Sequence, residues 1–260
     1  MPKGTFFYFT GTGNTLALAQ AAKQTLEAAG WQVSLVNVAG SYEPSPSDLV
    51  GFFFPVYSFG PPRVISRFLR RLPQGNGTPA IVVANAADNP GGAAGAVQRT
   101  LVSKGYSVRQ SYSVLMPSNY ILGRGAMDKT EAAAIIAKAT AKVTEMTSAW
   151  LKDDATEAEP PRAALVSALA HWAFIQGLPF MGRLYRYTDK CTGCGACVEM
   201  CPMGVISLTA AERPVWSRGC EHCMRCVNHC PFDAIEVGRL TRGKRRYKYW
   251  TAQRQTLNTK

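Results

Sequence analysis

All eight cysteines of this 260-residue chain fall between Cys191 and Cys230, in two runs of the form C-x2-C-x2-C-x3-C-P. Residues 191–208 and 220–237 align without gaps at an offset of 29, so the unit is duplicated. Three thiolates within seven residues can wrap three corners of an iron–sulfur cubane, while the fourth, just before proline, turns toward the other cluster. The pattern therefore predicts two [4Fe–4S] clusters. One is held by Cys191, Cys194, Cys197 and Cys230, the other by Cys220, Cys223, Cys226 and Cys201. Structural zinc prefers two C-x2-C pairs across a longer loop and has no use for a third cysteine in each run. His222 and His229 lie inside the second run. With four cysteines per cluster the ligand set is complete, so these histidines are expected at the surface or as hydrogen-bond donors that tune potential. A unit of this size has little core of its own, and its clusters would double as staples. Disulfides are the remaining alternative, but residues 5–9 are apolar over too short a stretch for a signal peptide. The expected compartment is the cytoplasm, where cysteines read as ligands.

The first 150 residues alternate between two periods. Apolar runs at 5–9, 33–38, 49–54, 80–85 and 112–116 read as strands, and segments 14–29, 62–72, 91–104 and 129–150 as helices. This alternation predicts an α/β domain, a doubly wound five-stranded parallel sheet, over residues 1–151, followed by a small α+β two-cluster domain over 187–238. Residues 152–186 form a linker and apolar helix. Its 163–184 stretch contains His171, Gln176, Pro179 and Arg183, poor company for a membrane span. Packing between domains, pairing with a second copy as a homodimer, or lying on a membrane surface are the alternatives. Residues 239–260 form a basic tail. Eight of the basic residues behind a formal charge of +12 lie there, with no acid. It reads either as a solvated end or as a docking arm for an acidic partner protein. Nucleic acid is not expected from charge alone.

After the first strand comes Thr10-Gly11-Thr12-Gly13-Asn14-Thr15, then a helix. Glycines let the backbone close around an anion, and hydroxyls with the free N–H groups of the helix start supply donors. The loop has no lysine and no third glycine, so neither a nucleotide P-loop nor a dinucleotide fingerprint fits. A mononucleotide does.

At these residues the chain resembles flavodoxins, over about 5–150, and its cysteine unit resembles bacterial-type two-cluster ferredoxins, over about 187–238. The first resemblance implies strand order 2-1-3-4-5 and FMN, with Thr10, Gly11, Thr12, Gly13, Asn14 and Thr15 at the phosphate. Pro55, Val56, Tyr57, Ser58, Phe59 and Gly60 match the family's second flavin loop. Gly60 is expected to permit the peptide geometry that favours a one-electron-reduced flavin, and Tyr57 or Phe59 to stack on the ring. The third loop, from Asn85, lacks the aromatic common in the family. Asn119 and Tyr120, after strand five, are expected to compensate. The second resemblance implies single-electron transfer at low potential. Together they resemble flavodoxin–ferredoxin fusions, and imply an electron carrier between redox protein partners. The rival is an FMN-dependent reductase of a quinone or nitro compound. Around the flavin loops the only titratable candidates for acid–base work are Tyr57, Asp88 and Tyr120.

Overall fold

The computed structural model describes residues 1–42, 45–154 and 165–248. The N-terminal part runs β1 (Lys3–Tyr8), α1 (Asn14–Ala28), β2 (Gln32–Asn37), β3 (Leu49–Pro55), α2 (Arg63–Arg71), β4 (Pro79–Ala86), α3 (Ala93–Ser103), β5 (Ser107–Leu115) and α4 (Lys129–Leu151). Its strands form one parallel sheet in the order β2-β1-β3-β4-β5. Successive side chains of a strand point to opposite faces, and both faces are apolar. Phe6, Tyr8, Phe53, Ile81 and Val83 pack on one side with α1 and α4. Phe7, Phe9, Phe52, Phe54 and Val82 pack on the other with α2 and α3. Six phenylalanines of β1, β3 and the loop after β1 are fully buried, each contributing about 2–3 kcal/mol by area. Strand order reverses between β1 and β3, which opens a crevice at the carboxyl ends of the strands.

β5 starts five residues before the expected 112. Its first half, with Arg109, Gln110 and Ser111, lacks an apolar run because it is an edge strand. Gln110 is nonetheless buried and donates from Nε2 to Met146 O at 2.8 Å.

After residues outside the description comes α5 (Leu165–Met181), which leads into β6 (Tyr185–Tyr187). The small domain continues with α6 (Ala196–Glu199), β7 (Ile206–Leu208), β8 (Pro214–Trp216), α7 (Arg225–His229) and β9 (Ile235–Val237). β6 pairs with β9, and β7 with β8, both antiparallel. The duplication survives in the fold, since α6 and α7, like β7 and β9, start 29 residues apart. Leu165–Leu184 is the one stretch among the described residues long and apolar enough to cross a membrane, and 11% of it is buried. Its inner face is engaged. His171 Nδ1 lies 2.9 Å from Tyr57 O, Phe174 meets Tyr57 edge-on, and Leu178 is fully buried.

The basic tail is not uniformly solvated. Residues 239–248 fold back as a strap, and the rest lies outside the described residues. Lys244 Nζ donates to the carbonyls of Leu122 and Gly123, and Arg245 Nε to Ala126 O. Arg246 pairs with buried Glu236 at 2.8 Å, and the Tyr247 hydroxyl donates to Asn14 Oδ1 at 2.7 Å. Spacing of charges did not reveal this, because the acceptors of Lys244 and Arg245 are backbone carbonyls far away in sequence.

Candidate functional site

A cavity of about 450 Å³ opens at the carboxyl ends of the strands. Thr10, Gly11, Thr12, Asn14 and Thr15 line it from the loop before α1. Pro55, Val56, Tyr57 and Ser58 come from the loop after β3, Asn85 and Ala87 from that after β4, and residues 116–120 from that after β5. Phe174 of α5 closes one part of the wall, and His222 and Cys223 of the small domain another. Of the residues singled out from sequence, Gly13, Phe59, Gly60 and Asp88 are not in the wall.

The first loop is held from inside. The Gly13 N–H donates to Thr10 Oγ1 at 2.9 Å, and Gly13 caps α1 in a left-handed conformation, φ 104°. Thr15 Oγ1 donates to Asn85 Oδ1 at 2.6 Å, joining the first loop to the third. Asn14 Nδ2 donates to Pro117 O at 2.8 Å and Asn119 Nδ2 to Thr12 Oγ1 at 3.0 Å, joining it to the loop after β5. The first N–H groups of α1 have no partner within the helix, and its dipole favours an anion there. These donors and hydroxyls suit a phosphate.

The loop after β3 departs from expectation in its mechanics. Tyr57 N–H donates to Gly60 O at 2.8 Å, closing a tight turn whose left-handed residues are Ser58 (φ 49°) and Phe59 (φ 68°), not Gly60. Gly60 is required by space instead, since a Cβ there would meet the His171 ring at 2.5 Å. Phe59 turns toward Gly91 and away from the cavity. Tyr57 is the aromatic of this loop in the wall. Its hydroxyl is buried without a partner, and burial pushes the phenol well above its usual range. Tyr120, from the loop after β5, is raised in the same way. Phe174, 116 residues beyond Ser58, supplies a further aromatic that no local pattern could have placed here.

The small domain docks on this site through the second cysteine run. Gly11 lets the Cys223 backbone approach so closely that a Cβ would stand 2.4 Å from Cys223 O. Buried Arg225 donates from Nε to Gly11 O at 2.6 Å, from Nη2 to Thr10 O at 2.7 Å and from Nη1 to Met200 O at 3.0 Å. Glu221, with a fully buried side chain, pairs with Arg63 of α2 at 2.8 Å. Asn228 Nδ2 donates to Asn119 O at 2.9 Å.

The eight cysteines are all free thiols. Cys191, Cys194, Cys197 and Cys230 surround one pocket, and Cys201, Cys220, Cys223 and Cys226 another. Among the described residues no three His, Cys, Asp or Glu side chains converge as a single-ion site. Burial pushes the bare thiols up, Cys197 to about 11 and Cys220 to about 12, and neighbouring cysteines of the same set add to the shift. A cationic iron–sulfur core on each set would offset that cost and hold the sulfurs as thiolates. The donor sets fit such clusters. His222 and His229 are buried rather than at the surface. The His222 ring is held neutral by burial, with a pKa near 4.

Residues 190–234 match the family model described as a 4Fe-4S dicluster domain. The strand order and the crevice above it give the other half. The chain joins a flavodoxin-like fold to a 4Fe-4S ferredoxin-like domain. Solved structures similar to part of it include a flavodoxin from the domain Archaea (12% identity, TM-score 0.40, 56% of this chain and 99% of that one). Flavodoxin from Megasphaera elsdenii is also similar (19%, 0.38, 54% and 98%). So is a putative quinone reductase from Klebsiella pneumoniae (14%, 0.40, 58% and 85%). No curated protein matches the chain.

Proposed function

We propose that the fusion holds FMN in the cavity and a [4Fe–4S] cluster on each set of four cysteines, and that it relays single electrons between a protein partner and the flavin. The observation that carries this reading is that Cys223 and the loop of residues 10–15 line one cavity. When bound, the clusters exchange one electron each and the flavin one or two. The protein supplies placement. Residues 10–15 bind the phosphate. Residues 55–58, Asn85, Asn119 and Tyr120 bound the ring, with Gly60 setting the loop from behind. Arg225 fixes the first loop against the second cysteine run, so the inner set of cysteines and the flavin keep a constant spacing.

The outer set has a different aspect. Cys194 is exposed, whereas Cys220 and Cys226 are buried. Electrons from a partner then enter at the first run and pass inward to the second. An acidic redox protein suits the formal charge of +12, and residues 249–260, with Arg254 and Lys260, can extend that field. A second copy would pair through the outer face of α5, where Leu165, Val166, Leu169 and Trp172 are exposed.

The rival reading, reduction of a quinone or nitro compound at the flavin, draws on Phe174 and Tyr57 walling the cavity. Against it, the ionisable side chains of the wall are Tyr57, Tyr120, His222 and Cys223. Both phenols hold their protons more tightly than usual, which leaves no acid poised to deliver one near neutral pH.

Anaerobic purification with iron, sulfide and flavin analysis tests the proposal. About eight irons and one FMN per chain are expected. Iron without flavin overturns the cavity assignment, and zinc in place of iron overturns the clusters. Rapid turnover of a quinone by the reduced protein, with no transfer to a redox protein, favours the rival.

A further inference from the structure

The two cysteine runs wrap their pockets with the same backbone but not with the same residues. In the first run Gly193 and Gly195, either side of Cys194, are left-handed at φ 77° and 71°. The positions 29 residues on, either side of Cys223, are also left-handed, at φ 53° and 62°, yet they carry His222 and Met224. Glycine adopts this conformation freely, and larger side chains adopt it under strain. A strained residue persists where something else requires it.

For Met224 the requirement is packing, since it is 1% exposed in the core of the small domain beside Tyr185. His222 is packed as well, but packing leaves one of its ring nitrogens without a partner. Its Nδ1 lies 2.8 Å from the Tyr185 hydroxyl, which fixes the ring, and Tyr120 meets the ring edge-on. The residue is 3% exposed and forms part of the wall of the cavity, while its Nε2 is buried with no partner. A buried nitrogen left unpaired is costly, and here it belongs to a residue of the cavity wall whose backbone is left-handed.

We propose that His222 is a flavin-binding residue supplied by the ferredoxin-like domain. Its Nε2 completes its hydrogen bonding on the FMN in the cavity, so the flavin site is built from both halves of the chain. This rests on the reading that the cavity holds FMN. Tyr185 acts as a positioning residue, choosing the ring nitrogen that faces the ligand.

The test is FMN affinity of iron-loaded, flavin-stripped protein, followed by quenching of flavin fluorescence. His222→Gly gives the second run the residue of the first. It should bind FMN about tenfold more weakly, the loss of one buried hydrogen bond, with unchanged iron content. His222→Gln places an amide about where Nε2 lies and should retain most of the affinity. Unchanged affinity in His222→Gly, or a shift confined to the cluster potentials, overturns the proposal. Should His222→Gly not load iron, Tyr185→Phe decides, since it frees the ring without altering the cysteine run. Several-fold weaker FMN binding supports the role, and parental affinity overturns it. Failure of the parent itself to bind FMN sinks the cavity assignment instead.

Discussion

The two copies of the cysteine unit share cysteines, prolines, a short helix and a strand, and differ in what surrounds them. In the first, Thr192, Cys194 and Glu199 face solvent. In the second, the equivalent Glu221 is buried against Arg63, Cys223 borders the cavity at the carboxyl ends of the strands, and Asn228 is buried against Asn119. Ala196 of the first copy corresponds to Arg225 of the second, which reaches into the loop of residues 10–15. The scaffold that a cluster needs is thus constant. The positions between the cysteines carry the divergence, toward solvent in one copy and toward the flavodoxin-like domain in the other.

Equivalent cysteine substitutions should break this comparison most visibly. Cys223→Ser is expected to lose about four irons per chain, and with them both the seat of the flavin wall and tight FMN retention. Cys194→Ser is expected to lose a similar amount of iron while FMN stays bound. Iron and flavin assays on the two purified variants decide. Equal loss of flavin in both would mean that the copies are not functionally distinct.

Arg225→Ala gives the second copy the residue of the first and should be the next largest effect. Three carbonyls lose a charged donor inside the domain interface. The expected cost is about 3 kcal/mol, read as a fall of roughly 10 °C in unfolding temperature, with weaker FMN binding because the phosphate loop loses its clamp. The reciprocal exchange, Gly193→His, asks whether histidine at this position is useful in itself. The backbone there is left-handed, and a Cβ would lie 2.8 Å from Glu212 Cβ. It should cost about 1–2 kcal/mol and leave FMN affinity unchanged. A gain in affinity would be at odds with the first copy facing away from the flavin.

How much of this was legible in the sequence follows the same division. The cysteine runs declare themselves because cluster ligands must sit at fixed short spacings. The loop of residues 10–15 does so because an anion at a helix start needs glycine and hydroxyl residues together. The parallel sheet followed from alternation, and its strand order from the flavodoxin resemblance. What stayed hidden depends on contacts between distant segments. Phe174 is one apolar residue on an apolar helix, and nothing local says that it walls a cavity. Gly60 looked like a residue chosen for its torsions and proves to be chosen for the His171 ring. His222 was read as a surface residue or a cluster tuner because its partner Tyr185 lies 37 residues away. The glycine-to-histidine contrast within the repeat was on the page from the start. It acquires meaning only once φ shows that both positions are left-handed.

The strap that follows β9 offers the smallest and sharpest test, because it joins the second copy to the N-terminal domain. Tyr247 N–H donates to Asn228 Oδ1 at 3.0 Å, and its hydroxyl donates to Asn14 Oδ1 at 2.7 Å. The chain thereby ties α7 to the start of α1, the helix whose N-terminus lines the cavity. The residue equivalent to Asn228 in the first copy is Glu199, which is exposed. Tyr247→Phe preserves the buried ring and removes one donor. Asn14 keeps its bond to Pro117 O, so the side chain stays in place with one oxygen unpaired. The expected cost is about 1 kcal/mol, with a slightly weaker hold on FMN and no change in iron. Thermal unfolding with and without excess FMN separates the two effects. If the hydroxyl serves the loop of residues 10–15, the difference between parent and variant should widen when FMN is saturating, because the weaker hold on FMN adds to the lost stability. A difference of the same size in both conditions would assign the strap to the stability of the small domain alone.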